Sequence, residues 1–200
     1  MDTQLQTDVS GLTHEIIESM TIYQTFVSTK GPTQLDHYMQ HHSPESILFF
    51  VNCPGKTFGE KYMEQLARGH FQLDPRIDSG HDHTKLTKKI EQKSARYHAN
   101  GGDFKWQHIE MKHDFDYLLL TGLDYTMIRN YIASRQIVEE LIHNGIIVGQ
   151  GKKNSEGIAE AQQGYWFSRS DFAHKNINFG DYFTEIFCEQ DMIQYIQQTS

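Results

Sequence analysis

The chain has 200 residues, of which 38% are hydrophobic and 22% charged, a balance that supports one packed domain, with or without an extension, and excludes wholesale disorder. A formal charge of −8 sets nucleic acid aside as an expected partner, because phosphate binding rests on Lys and Arg, but it is compatible with a site for a divalent cation. Two cysteines, Cys53 and Cys188, make no disulfide framework, no apolar run approaches membrane-spanning length, and the polar start MDTQLQTDVS reads as neither signal nor transit peptide, so the expected setting is the cytoplasm.

Residues 1–45 read as an N-terminal extension. HEIIESMTIYQTFV (14–27) suggests a helix shading into a strand, Gly31-Pro32-Thr33 a turn, and LDHYMQHH (35–42) a short helix. The body, 46–200, opens with ILFFV, a continuous apolar run expected as a strand buried on both faces. A helix follows from Thr57 or Gly59 and carries Tyr62, Met63 and Leu66 on one side; FQL (71–73) reads as a short strand and DPRIDSGHDH (74–83) as a polar loop. TKLTKKIEQKSARY (84–97) is expected as a helix with a basic, solvated face that includes Lys88 and Lys89, stopped by Asn100-Gly101-Gly102. FDYLLLTGLDY (115–125) is the second strong strand, SRQIVEELIHNG (134–145) a helix with Ile137, Val138, Leu141 and Ile142 inward, and IIVGQG (146–151) a third strand. This alternation predicts an α/β fold with a mainly parallel sheet flanked by helices, whose ligands would sit beyond the carboxyl ends of the strands, at turns 52–57 and 121–126.

The turn Asn-Cys-Pro-Gly-Lys-Thr (52–57) fits the end of a phosphate loop at Gly55-Lys56-Thr57, but Phe50 occupies the position where the first glycine must fold tightly. A phosphatase loop is set aside because Gly59 stands where its arginine belongs. Cys53, at an expected strand end before a helix, is either a thiolate nucleophile or a small buried residue. His81-x-His83 on a polar loop is two ligands short of a zinc site unless His98 or His113 joins it, and reads as solvated, as does His41-His42.

Three blocks, VNCPGKTFGEKYMEQL (51–66), SARYHANGGD (94–103) and FDYLLLTGLDYTM (115–127), resemble family 2-like glycosyltransferases with a GT-A (Rossmann-like) fold. GYWFSRSDF (164–172) and FTEIFCEQDM (183–192) are more loosely similar to later segments of that family. The resemblance implies transfer of a sugar from a nucleotide-sugar donor to a carbohydrate, lipid or protein acceptor, assisted by Mg²⁺ or Mn²⁺. It assigns the cation to Asp124, the donor to Asn52, Pro54, Gly55, Lys56, Arg96, Asp103 and Trp166, with Tyr165 beside it, and the base to Asp191 or Glu185. Two positions depart from the family's pattern: Gly122 replaces the first aspartate of the metal motif, and Ala99-Asn100 replaces an Arg-Asn pair, with Arg96 three residues earlier. Beside these roles stand plainer ones: Asp124 as a turn residue, Asp103 as a cap, Lys56, Asp191 and Glu185 as surface charges, Trp166 and Tyr165 as core. Alternatives to an active transferase are a binding module of the same fold, which Gly122 favours, and a cysteine-dependent enzyme using Cys53.

Overall fold

The computed structural model describes residues 33–98, 103–151 and 164–199. The segment 14–27, the start of the turn at Gly31 and the stop at Asn100-Gly101-Gly102 lie outside these residues.

Thr33 caps helix α1 (Gln34–Gln40) in a reciprocal capping box with Asp36. The α1 residue Tyr38 is fully buried and donates from its hydroxyl to the Leu123 carbonyl, which ties this helix to the end of a strand in the body of the chain. ILFFV is not a strand. It lies in helix α2 (Glu45–Asn52), introduced by Pro44 and an acidic first turn, with Ile47 and Val51 buried one turn apart and Phe49 exposed. A π-helical segment (Thr57–Met63) then runs directly into α3 (Glu64–Phe71), whose last turn contains the first residue of the expected strand 71–73.

The stretch 84–97 is strand, not helix. After β1 (Asp74–Pro75) comes the hairpin of β2 (His83–Lys85) and β3 (Lys88–His98), in which Lys85 faces Lys88 across a two-residue turn. Leu86 and Thr87 both have positive φ, 49° and 66°, the conformation that matches hairpin twist and normally recruits Asn and Gly. Lys89 is tied to Asp78 and Asp114 on neighbouring loops.

Strands β4 (Asp103–Ile109), β5 (Tyr117–Leu123), β6 (Ile128–Ser134), β7 (Val148–Gly149), β8 (Tyr165–Ser168) and β9 (Thr184–Glu185) complete one mixed sheet, ordered β7-β8-β4-β3-β5-β6-β9, with β2 and then β1 branching from β3. The expectation of a mainly parallel sheet is corrected: among the described pairings only β3 with β5 is parallel. Hairpins replace the expected helical crossovers, and hairpins make antiparallel neighbours.

Strand β5 is buried along its whole length. Leu118 and Leu120 pack under α4 (Arg135–His143) and α5 (Arg169–His174), and Tyr117 and Leu119 under α3 and α6 (Glu189–Thr199). Gly122 has a packing reason: a Cβ there would stand 2.8 Å from the Phe104 ring, so the residue that departs from the metal motif makes room for an aromatic side chain.

Candidate functional site

The sequence-assigned residues separate into two regions. Gly55 and Lys56, from the turn expected to meet the donor, border the largest cavity, about 580 Å³, with Asn52 and Pro54 exposed nearby in sequence. Arg96 does not reach that cavity; its guanidinium donates to the carbonyls of Phe50 (2.9 Å) and Cys53 and lies over the Phe58 ring, holding the end of α2. The Cys53 thiol donates to the Phe49 carbonyl.

Asp124 accepts from Arg129 Nε at 2.8 Å, and Arg129 also pairs with Glu185 at 3.0 Å. Asp103 is buried, accepts from the Phe104 and Ser170 amides, and pairs with Arg169. Arg129, Arg169 and Glu185 border a separate cavity of about 520 Å³. The turn at 52–57 and the carboxylates Asp124 and Asp103 therefore do not share one cleft. Asp191 accepts from the Phe187 and Cys188 amides at the start of α6, and these bonds, the Phe187 one foremost, hold its carboxyl below the ordinary range. Trp166 and Tyr165 are half-buried on β8, Tyr165 packing against the core.

His81 and His83 are buried rather than solvated: His81 Nδ1 lies 3.0 Å from Asp78, and His83 Nε2 lies 2.8 Å from the Gln92 side-chain oxygen. Burial pushes the His83 imidazole below its ordinary pKa.

Inside the largest cavity stands a group that the sequence reading passed over. Strand β3 pairs with β2 as far as Ile90 and with β4 only from Tyr97; between these, residues 91–94 pair with β5 and border the cavity. Glu91 and Lys93, two apart on this strand, project to the same side, and Lys93 Nζ lies 2.6 Å from Glu91 Oε1. Asp82, just before β2, is fixed by its own amide to the Ile90 carbonyl and by its carboxylate to the Gln92 amide at 2.8 Å. Glu64 projects from the start of α3, where the π-helical segment ends. Its carboxyl is pushed up to about 7, chiefly by burial and then by the negative charges of Asp82 and Glu60. Further charges line the cleft: Lys56, paired with Glu60 at 3.7 Å, Arg76 on the loop before Asp82, and Lys105 on β4.

The signal for this group was present as Asp82, a short gap, then Glu91-x-Lys93. Read as a helix, residues 91 and 93 do not share a face; read as a strand, they do.

Among the described residues no three His, Cys, Asp or Glu side chains stand together as a ready-made metal site. Asp82, Glu91 and Glu64 are hard oxygen donors of the kind that Mg²⁺ and Mn²⁺ take, lining one cavity without forming a ready-made cluster. No helix among the described residues is long and apolar enough to cross a membrane. Neither the known family models nor the curated proteins compared with the chain give a match.

Proposed function

We propose that the cleft along β3 hydrolyses phosphodiester bonds in a nucleic acid strand, assisted by Mg²⁺ or Mn²⁺. The observation that carries this reading is the hairpin that sets Asp82 beside Glu91-x-Lys93 in the largest cavity, between walls bearing Lys56, Arg76 and Lys105. Asp82 and Glu91 would hold the cation together with phosphate oxygens and water, the usual arrangement for Mg²⁺. When bound, such an ion offsets charge on the phosphoryl group and acidifies water. Lys93, steered by Glu91, meets negative charge building on the phosphoryl oxygens. The net charge of −8 argues against a broad basic footprint; Arg76 and Lys105 offer a few phosphate contacts beside the carboxylates of the cleft.

The test is incubation with plasmid, single-stranded DNA and RNA, with Mg²⁺, Mn²⁺ or chelator. Cation-dependent cleavage is expected for the wild type, with at least a hundredfold loss in Lys93→Ala and Glu91→Gln. Absence of cleavage of every substrate with either cation, or full activity in both variants, would overturn the reading.

A second reading, sugar transfer or sugar-nucleotide binding, is favoured by the 520 Å³ cavity, where Arg129 and Arg169 stand beside Tyr131 and Phe179, a setting suited to a diphosphate and a ring. Asp124 is engaged by Arg129, so on this reading a guanidinium rather than a metal ion would face the diphosphate. Titration with UDP- and GDP-sugars, with and without Mn²⁺, separates the two: binding abolished by Arg129→Ala but untouched by Glu91→Gln belongs to this cavity. Alkylation of Cys53 tests the cysteine-dependent alternative, which predicts complete loss of activity.

A further inference from the structure

We propose that His113 is a positioning residue for Glu91, orienting its carboxylate for cation binding; this rests on the hydrolytic reading of the β3 cleft. The Glu91 side chain is 3% exposed, and its Oε1 is engaged twice, by Lys93 at 2.6 Å and by His113 Nδ1 at 3.1 Å. Both contacts fall on the same oxygen, so the carboxylate is held from two directions and Oε2 takes part in neither.

The loop that carries His113 is itself held. Arg135, at the start of α4, donates at 2.7 Å to both the His113 and the Met111 carbonyls, its guanidinium lies over the Phe115 ring, and the His113 amide closes a turn onto the Glu110 carbonyl. On its far side the imidazole faces Glu110, 3.7 Å from Nε2. The series Glu110, His113, Glu91 thus joins a surface carboxylate to a buried one through a ring of fixed orientation. Groups standing behind a metal ligand in this way typically change cation affinity by about 10–100-fold when removed.

The test is direct Mn²⁺ titration by calorimetry, which needs no turnover, on the full chain and on His113→Ala, His113→Asn and Glu91→Gln. The asparagine amide nitrogen falls where Nδ1 sits and can still donate to Glu91. The expected result is Mn²⁺ binding weakened about 10–100-fold in His113→Ala, most of it restored in His113→Asn, and none detectable in Glu91→Gln. Melting curves check the fold, and His113→Leu, which fills the space without a donor, replaces the alanine variant if that fails to fold. Equal or tighter binding in the alanine or leucine variant overturns the role of His113 alone. No Mn²⁺ binding by the wild type overturns this role and the cation assignment beneath it.

Discussion

Glu64 is where the cleft's electrostatics are most exposed to measurement. A carboxyl raised from 4.5 to about 7 holds its proton more tightly in the folded chain than in the unfolded one. Its contribution is therefore favourable below the unfolded value and is lost as pH rises toward 7. Replacing it with glutamine removes that penalty. Glu64→Gln is expected to be more stable than the wild type at pH 8, by about 1 kcal/mol once solvent screening of this half-buried group is allowed for, and no more stable at pH 4. Denaturant unfolding at the two pH values, without divalent cations, checks it; an equal difference at both would show that the crowding of carboxylates is not felt.

At the scale of the element, the β2–β3 hairpin controls the site, because it alone brings Asp82 to Glu91. Its turn is made by Leu86 and Thr87 in left-handed conformations, each of which costs about 1–2 kcal/mol for a side chain with a Cβ. Leu86→Asn with Thr87→Gly should raise the unfolding free energy by about 1–2 kcal/mol without altering the cleft, measured by denaturant unfolding beside a cleavage assay. The same turn explains why 84–97 was illegible as strand. Neither residue announces a hairpin, and the lysines at 88, 89 and 93 imitate the solvated face of a helix. The apolar run 47–51 was ambiguous for another reason: a short stretch of that length fits a buried strand or a helix, and the Pro44-Glu45 start was the clue that decided it. By contrast β5 and α4 were readable. The first carries an unbroken apolar run, Tyr117–Leu120, and the second has a Ser134 cap and apolar residues at helical spacing. Of the cleft, Gly55 and Lys56 were legible and His113 was noticed, but Glu64, Asp82, Glu91 and Lys93 were not, because their meeting depends on strand pairing that the sequence did not signal.

For the whole molecule, an acidic chain with a cleft lined by cations and carboxylates together is set, on the hydrolytic proposal, against a polyanion, and its binding should depend only modestly on salt, through a few phosphate contacts. Lys105→Ala is expected to weaken binding of a single-stranded oligonucleotide and to reduce the slope of log K against log salt by about 0.7, as measured by fluorescence anisotropy in Ca²⁺. An unchanged slope would remove Lys105 from the contact surface. The parallel pairing of β3 with β5 has a separate consequence, for the order in which the chain matures. Gln92 lies against Leu119 and Lys93 against Leu120, so the strand carrying Glu91 and Lys93 gains its inner neighbour only after β4 and the loop behind it have been made and the chain has doubled back. Such distant closures are slow compared with forming a local turn. A nascent chain still emerging from the ribosome would carry the hairpin without the strand that backs Glu91 and Lys93, and on the hydrolytic proposal would stay inert toward the messenger beside it until the central sheet had closed.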